Sequence, residues 1–134
     1  MSTATSTRLW TTFDDALFRT RSALSEQGFG VLTEIDVTST STLKHKLGVE
    51  LENYVILGAC NPLLAHRALE IDRRVGLLLP CNVVVRDDPD QPGSVIVEAM
   101  DPQLLVEVTG DPSLRDAAEE VEGKLRAVIE AVSR

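Results

Sequence analysis

Two cysteines, Cys60 and Cys81, are the only thiols in the chain, and each stands where an apolar run meets a proline. The run Tyr54-Val-Ile-Leu-Gly-Ala-Cys60 leads into Asn61-Pro62, and Leu78-Leu-Pro80 leads into Cys81-Asn-Val-Val-Val85. A strand that gives way to a loop is the usual place for a ligand or reactive group in layered α/β structure. Asn61 has the side chain of a helix N-cap, and Pro62 suits the first helical position, where a missing N–H costs nothing. Cys60 would then lie just ahead of a helix N-terminus, whose partial positive charge and free N–H groups favour a thiolate. That chemistry suits a nucleophile, a redox thiol or a ligand for a metal or small molecule. The same residue type also reads as a small, inert filler at a strand end, since free cysteine is commonly buried. Cys81 carries the same alternatives with no helix dipole beside it.

The rest of the chemistry-bearing residues narrow the choice. Neither a C-x-x-C spacing nor a pair of nearby histidines occurs, so the thiols with His45 and His66 make only a sparse ligand set for zinc. His66 precedes Glu70 by one helical turn, the spacing of a solvated ion pair, and His45 lies between Lys44 and Lys46 in a loop. No P-loop, G-x-G-x-x-G, G-x-S-x-G or H-E-x-x-H pattern is present. The adjacent acids Asp14/Asp15, Asp87/Asp88 and Glu119/Glu120 read as solvated helix starts and turns. An enzymatic reading therefore runs through the thiols, with Cys60 as nucleophile and Cys81 as its resolving partner.

Positioning these residues requires a folded domain, and 134 residues suffice for one. A globule of that length removes roughly two-thirds of its unfolded surface from water. Thirteen Lys and Arg against twenty-one Asp and Glu give a net charge of −8, which sets the chain against a nucleic-acid backbone. The N-terminus lacks a charged segment leading into an apolar one, no apolar run reaches membrane-spanning length, and a cytoplasmic protein with reduced thiols is the expectation.

Period then gives the elements. Thr7 to Thr11 alternates weakly as an opening strand, with Leu9 on one face and Arg8 and Trp10 on the other, and residues 1–6 read as a disordered start to the domain. Phe13, Ala16, Leu17 and Leu24 recur at helical spacing between a Thr12 cap and a Gly28 stop. From Phe29 to Val37 the period becomes that of a strand with one face more buried than the other. Thr38 to Thr42 opens a loop, and Leu43 to Leu47 forms a short turn ended by Gly48. Tyr54 to Ala59 is apolar throughout, as in a strand buried on both faces. The helix after Asn61 buries Leu64, Ala65, Ala68, Leu69 and Ile71. Val83 to Arg86 and Val95 to Met100 form a hairpin about an exposed acidic loop, Asp87 to Ser94. Asp111-Pro112 begins a last helix whose apolar stripe is Leu114, Ala117, Ala118, Val121, Leu125, Val128, Ile129 and Val132.

Several of these motifs in order resemble one bacterial and archaeal family, domain of unknown function 302. They are Gly28-Phe-Gly-Val-Leu32, Glu34-Ile-Asp-Val37, Lys46-Leu-Gly-Val49, Tyr54 to Pro62, Leu78 to Val83 and the amphipathic C-terminal helix. The resemblance spans nearly the whole chain and implies one compact α+β domain, commonly dimeric, without a settled activity. The Thr38-Ser-Thr-Ser41 link is longer than is usual for the family.

The sequence thus predicts a single α+β domain over residues 1–134, with helices packed on one face of a mainly antiparallel sheet. It predicts a ligand-binding site at Cys60, Asn61 and Cys81 for a small molecule or metal. The alternatives are a thiol enzyme or redox sensor, or a dimeric interaction module without a site. A homodimer is expected, because strand edges and apolar faces need covering, and neither nucleic acid nor membrane is an expected partner.

Overall fold

A computed structural model of the chain describes residues 4–38, 48 and 51–134. Thr12 caps the first helix, its hydroxyl accepting from the Asp15 N–H, and α1 (Phe13–Glu26) buries Ala16, Leu17, Thr20, Ala23 and Leu24. Gly28 ends it at φ +82°, a left-handed conformation that a side chain would strain. Thr20 is a polar residue the apolar stripe does not announce. Its hydroxyl donates to the Ala16 carbonyl at 2.8 Å, so it is buried without an unpaired group.

Five strands follow the order β1-β5-β4-β3-β2, every pairing antiparallel. They are β1 (Ala4–Leu9), β2 (Gly30–Asp36), β3 (Tyr54–Cys60), β4 (Cys81–Asp87) and β5 (Val95–Met100). β1 begins inside the segment expected to be disordered, because Ala4, Thr5 and Ser6 pair with Met100, Ala99 and Glu98. One face of the sheet carries Leu9, Val55, Leu57, Ala59, Val83, Val85, Val95, Val97 and Ala99, all buried. Against it pack α1 and the last helix, α4 (Arg115–Val132), in one continuous core. The whole predicted stripe from Leu114 to Val132 is buried.

Two strands depart from expectation. Gly30 to Ile35 of β2 are exposed on both sides, where one buried face was predicted. β2 is an edge strand beyond most of the helical cover, and a bulge between Val31 and Thr33 breaks the alternation. In β3, Val55, Leu57 and Ala59 are buried but Tyr54 and Ile56 are only half-buried, since among the described residues the helices lie on one face.

Between β3 and β4 run α2 (Pro62–Ile71) and a 3₁₀ turn, Arg73–Leu78. Leu64 and Ala68 are the buried residues of α2; Ile71, predicted inside, is 41% exposed because the helix ends there and the chain turns at Asp72. A short helix, α3 (Leu104–Thr109), and a 3₁₀ turn, Pro112–Leu114, precede α4, where the sequence had assigned neither and had begun the last helix at Pro112. Val75, Ala68, Leu105 and Leu114 make a second, smaller core under this end.

The β4–β5 loop is the other correction. Asp88 and Ser94 are buried rather than solvated, because one Arg8 nitrogen donates to Asp88 Oδ2 at 2.7 Å and to Ser94 Oγ at 2.6 Å. Ser94 in turn donates to the Gln91 carbonyl, and the Asp90 N–H donates to Asp88. Of the Thr38–Thr42 and Leu43–Leu47 assignments, only Thr38 is described, and the rest, with His45 and the longer link, lie outside the described residues. The Thr38 hydroxyl accepts from the Tyr54 N–H and donates to the Glu52 carbonyl, tying the end of β2 to the start of β3.

Candidate functional site

Local sequence positions the first half of the site. β3 ends at Cys60, the Asn61 side chain accepts from the Leu64 N–H at 3.2 Å, and Pro62 opens α2 at its first position. These are the cap and start that the Asn-Pro pair encodes. The second half comes from β4, which begins at Cys81 directly after a cis Leu79–Pro80 bond. Strand register joins them: Ala59 lies opposite Cys81 in the β3–β4 pair, so Cys60 is one residue from the residue that faces Cys81.

All three sequence-predicted residues, Cys60, Asn61 and Cys81, line one cavity of about 20 Å³. Its other walls are apolar and come from both cores: Phe29, Ala59, Leu64, Leu79, Leu105 and Val121 among them. That volume holds about one water-sized group. Leu105, on the short helix that the sequence left unassigned, is one wall residue that sequence reasoning missed. No local signal marks it, since it reaches the cavity only by packing.

The thiols differ in setting. Cys81 is 4% exposed, and burial, reinforced by the nearby Cys60, pushes its thiol up to about 11. It is therefore a neutral thiol at physiological pH. Cys60 is half-buried, and both cysteines are free. Cys81 pairs with Ala59 and Cys60 pairs with Gly30, so the thiols stand one residue out of step on neighbouring strands. The two are spatial neighbours without being a directly opposed pair. Among the described residues no group of three His, Cys, Asp or Glu gathers that could hold a metal ion. His66 is exposed and meets Glu70 at 3.1 Å, the solvated pair its spacing predicts.

A close approach outside the cavity shapes this end of the sheet. A Cβ on Gly58 would run into the Thr33 hydroxyl and come within 2.8 Å of Pro80 Cγ. Gly58 is therefore needed in the middle of β3 so that Thr33 and Pro80 can close over it, although a glycine normally weakens a strand.

The model of the family described as "Domain of unknown function DUF302" matches residues 3–132. The chain belongs to this family. The crystal structure of an uncharacterized conserved DUF302 protein from Bacillus stearothermophilus is similar over 98% of this chain and 99% of that one, with a TM-score of 0.87 and 28% identity. No curated protein matches the chain. Neither the family description nor the structural relative names an activity, ligand or partner. The DUF302 chain has, among its described residues, no helix long and apolar enough to cross a membrane.

Proposed function

We propose that this DUF302 domain is a small binding module whose site is the cavity at the Cys60–Asn61 corner. The observation that supports this is the convergence of Cys60, Asn61 and Cys81 on one apolar cavity walled by two cores. An apolar pocket with a few polar groups at its rim is the ordinary form of a small-molecule site. With room for about one water-sized group, it suits a very small apolar ligand, or a larger one that displaces α2. Titration with xenon, a single apolar atom, followed by amide chemical shifts tests the reading. Saturable shifts are expected at Ala59, Cys60, Leu64 and Cys81, and are expected to vanish in Ala68→Val, which fills the wall. Shifts scattered over the surface, or indifferent to Ala68→Val, would sink it.

A metal is the second reading, favoured only by the proximity of two thiols. Zinc or a monovalent thiophilic ion would have to deprotonate Cys81, so its binding would strengthen as pH rises. The thiol-enzyme reading is weaker, because a buried Cys81 that stays protonated is a poor resolving partner.

A further inference from the structure

We infer that the cavity between Cys60 and Cys81 is a binding site for a single Cu(I) ion, held in line between the two thiolates. This rests on the metal reading of the cavity and names the ion that reading would take. Both cysteines line the cavity, and among the described residues neither sulfur carries a hydrogen bond or a disulfide. Cys81 is thus a polar side chain, 4% exposed, left without a partner at the cavity wall. Spacing allows one ion to touch both. Ala59 faces Cys81 in the β3–β4 register, so Cys60 is displaced from Cys81 by one strand and one residue. A strand separation of about 4.8 Å and a rise of about 3.4 Å set the two Cα atoms roughly 6 Å apart. A metal–thiolate bond is about 2.3 Å, so a bridged pair of sulfurs stands under about 5 Å apart, which side chains on such a frame can reach. The volume of about 20 Å³ admits one guest of that size.

The walls select the ion. Phe29, Ala59, Leu64, Leu79, Leu105 and Val121 bring no ligating side chain, and among the described residues no third His, Cys, Asp or Glu joins the thiols. Asn61, the remaining polar side chain of the lining, uses its oxygen to accept from the Leu64 N–H. Calcium and magnesium need a shell of oxygens, and zinc needs three or four protein ligands. Cu(I) is soft, prefers thiolate sulfur and is satisfied by two ligands in line, so a dry two-thiol cavity suits it and starves the others. Each thiol binds as thiolate and gives its proton to solvent, and copper keeps its oxidation state. The complex carries one negative charge just ahead of the N-terminus of α2, whose dipole favours an anion there. Half-buried Cys60 is the point of entry.

The test is a competition on the reduced full chain under nitrogen, with Cu(I) supplied as its complex with a coloured chelator. The protein is expected to withdraw one Cu(I) per chain, and X-ray absorption should show two sulfur neighbours with no oxygen or nitrogen. Cys60→Ser and Cys81→Ala should each lower the affinity by more than the roughly hundredfold that losing a supporting hydrogen bond to a metal ligand can cost. Cys60→Ser decides the matter, because an amide spectrum like that of wild type would show that its fold is intact. Excess Zn(II) should not displace the copper. Copper left on the chelator, one ion shared between two chains, displacement by zinc, or an affinity indifferent to Cys60→Ser would each overturn the site. Xenon shifts that persist when copper fails would strike this ion and leave the apolar cavity standing. Copper binding without xenon shifts would support the ion and strike the apolar ligand.

Discussion

On the covered face of the sheet Leu57, Val83 and Val97 are fully buried, while Ile56, Val84 and Ile96, each one residue away on the open face, remain half-buried. The side chains are of one kind on both faces; the difference is what lies over them. α1 and α4 complete the first face, and no helix among the described residues completes the second. The thiols differ in cover as well: Cys81 is buried and driven to about 11, whereas Cys60, at the end of β3, is half-buried. Burial in this protein thus follows the position of the helical layer more closely than it follows residue type.

The largest test of that contrast is Leu125→Ala. Leu125 is 2% exposed beneath the covered face, and its truncation should cost about 2 to 5 kcal/mol in urea denaturation. An equal loss from Val84→Ala would erase the distinction between the faces. Gly58→Ala comes next, at about 1 to 3 kcal/mol, because the new methyl group meets Thr33 and Pro80. Adding Thr33→Ala should recover part of that loss. A neutral Gly58→Ala would mean that the sheet has slack between Gly58, Thr33 and Pro80.

A smaller effect is expected from Arg8→Met. Hydrogen bonds from the Arg8 side chain and then from the Asp90 N–H hold the Asp88 carboxyl below its ordinary 3.8. A carboxylate whose folded pKa is depressed stabilises the fold above the ordinary value and loses that contribution as pH falls through the folded one. Arg8→Met should therefore lower the denaturation midpoint at neutral pH, and the gap to wild type should close in strong acid. A gap independent of pH would assign the effect of Arg8 to packing of its stem. The smallest change in stability is expected at Cys60, where Cys60→Ser should fall within about 0.5 kcal/mol. Iodoacetamide followed by peptide mass analysis should modify the half-exposed Cys60 first, and Cys81 only as pH approaches about 11 or the chain opens. The reverse order would overturn the assignment of Cys81 as the buried thiol and Cys60 as the accessible one.

Much of this fold is legible wherever a segment encodes its own period. α1 and α4 are long enough for their stripes to repeat, and Thr12, Asn61 and Gly28 mark ends through bonds or angles within a few residues. α3 has six residues, too few for a repeat to stand out. Asp88 and Ser94 read as solvated loop residues because the group that buries them, Arg8, is 80 and 86 positions away. The exposure of β2 depends on strand order, which no alternation within the strand reveals.

The candidate site divides along the same line. By itself the sequence determined that Cys60 precedes a capped helix and that Cys81 opens a strand, since Asn61-Pro62 and Pro80 act through local hydrogen bonding and backbone restriction. Only the tertiary structure decided that both thiols reach one cavity and that Cys81 is the buried one of the two. Register sets Ala59 opposite Cys81, and register is settled by which side chains the helical layer can bury, a property of the packed sheet rather than of either strand.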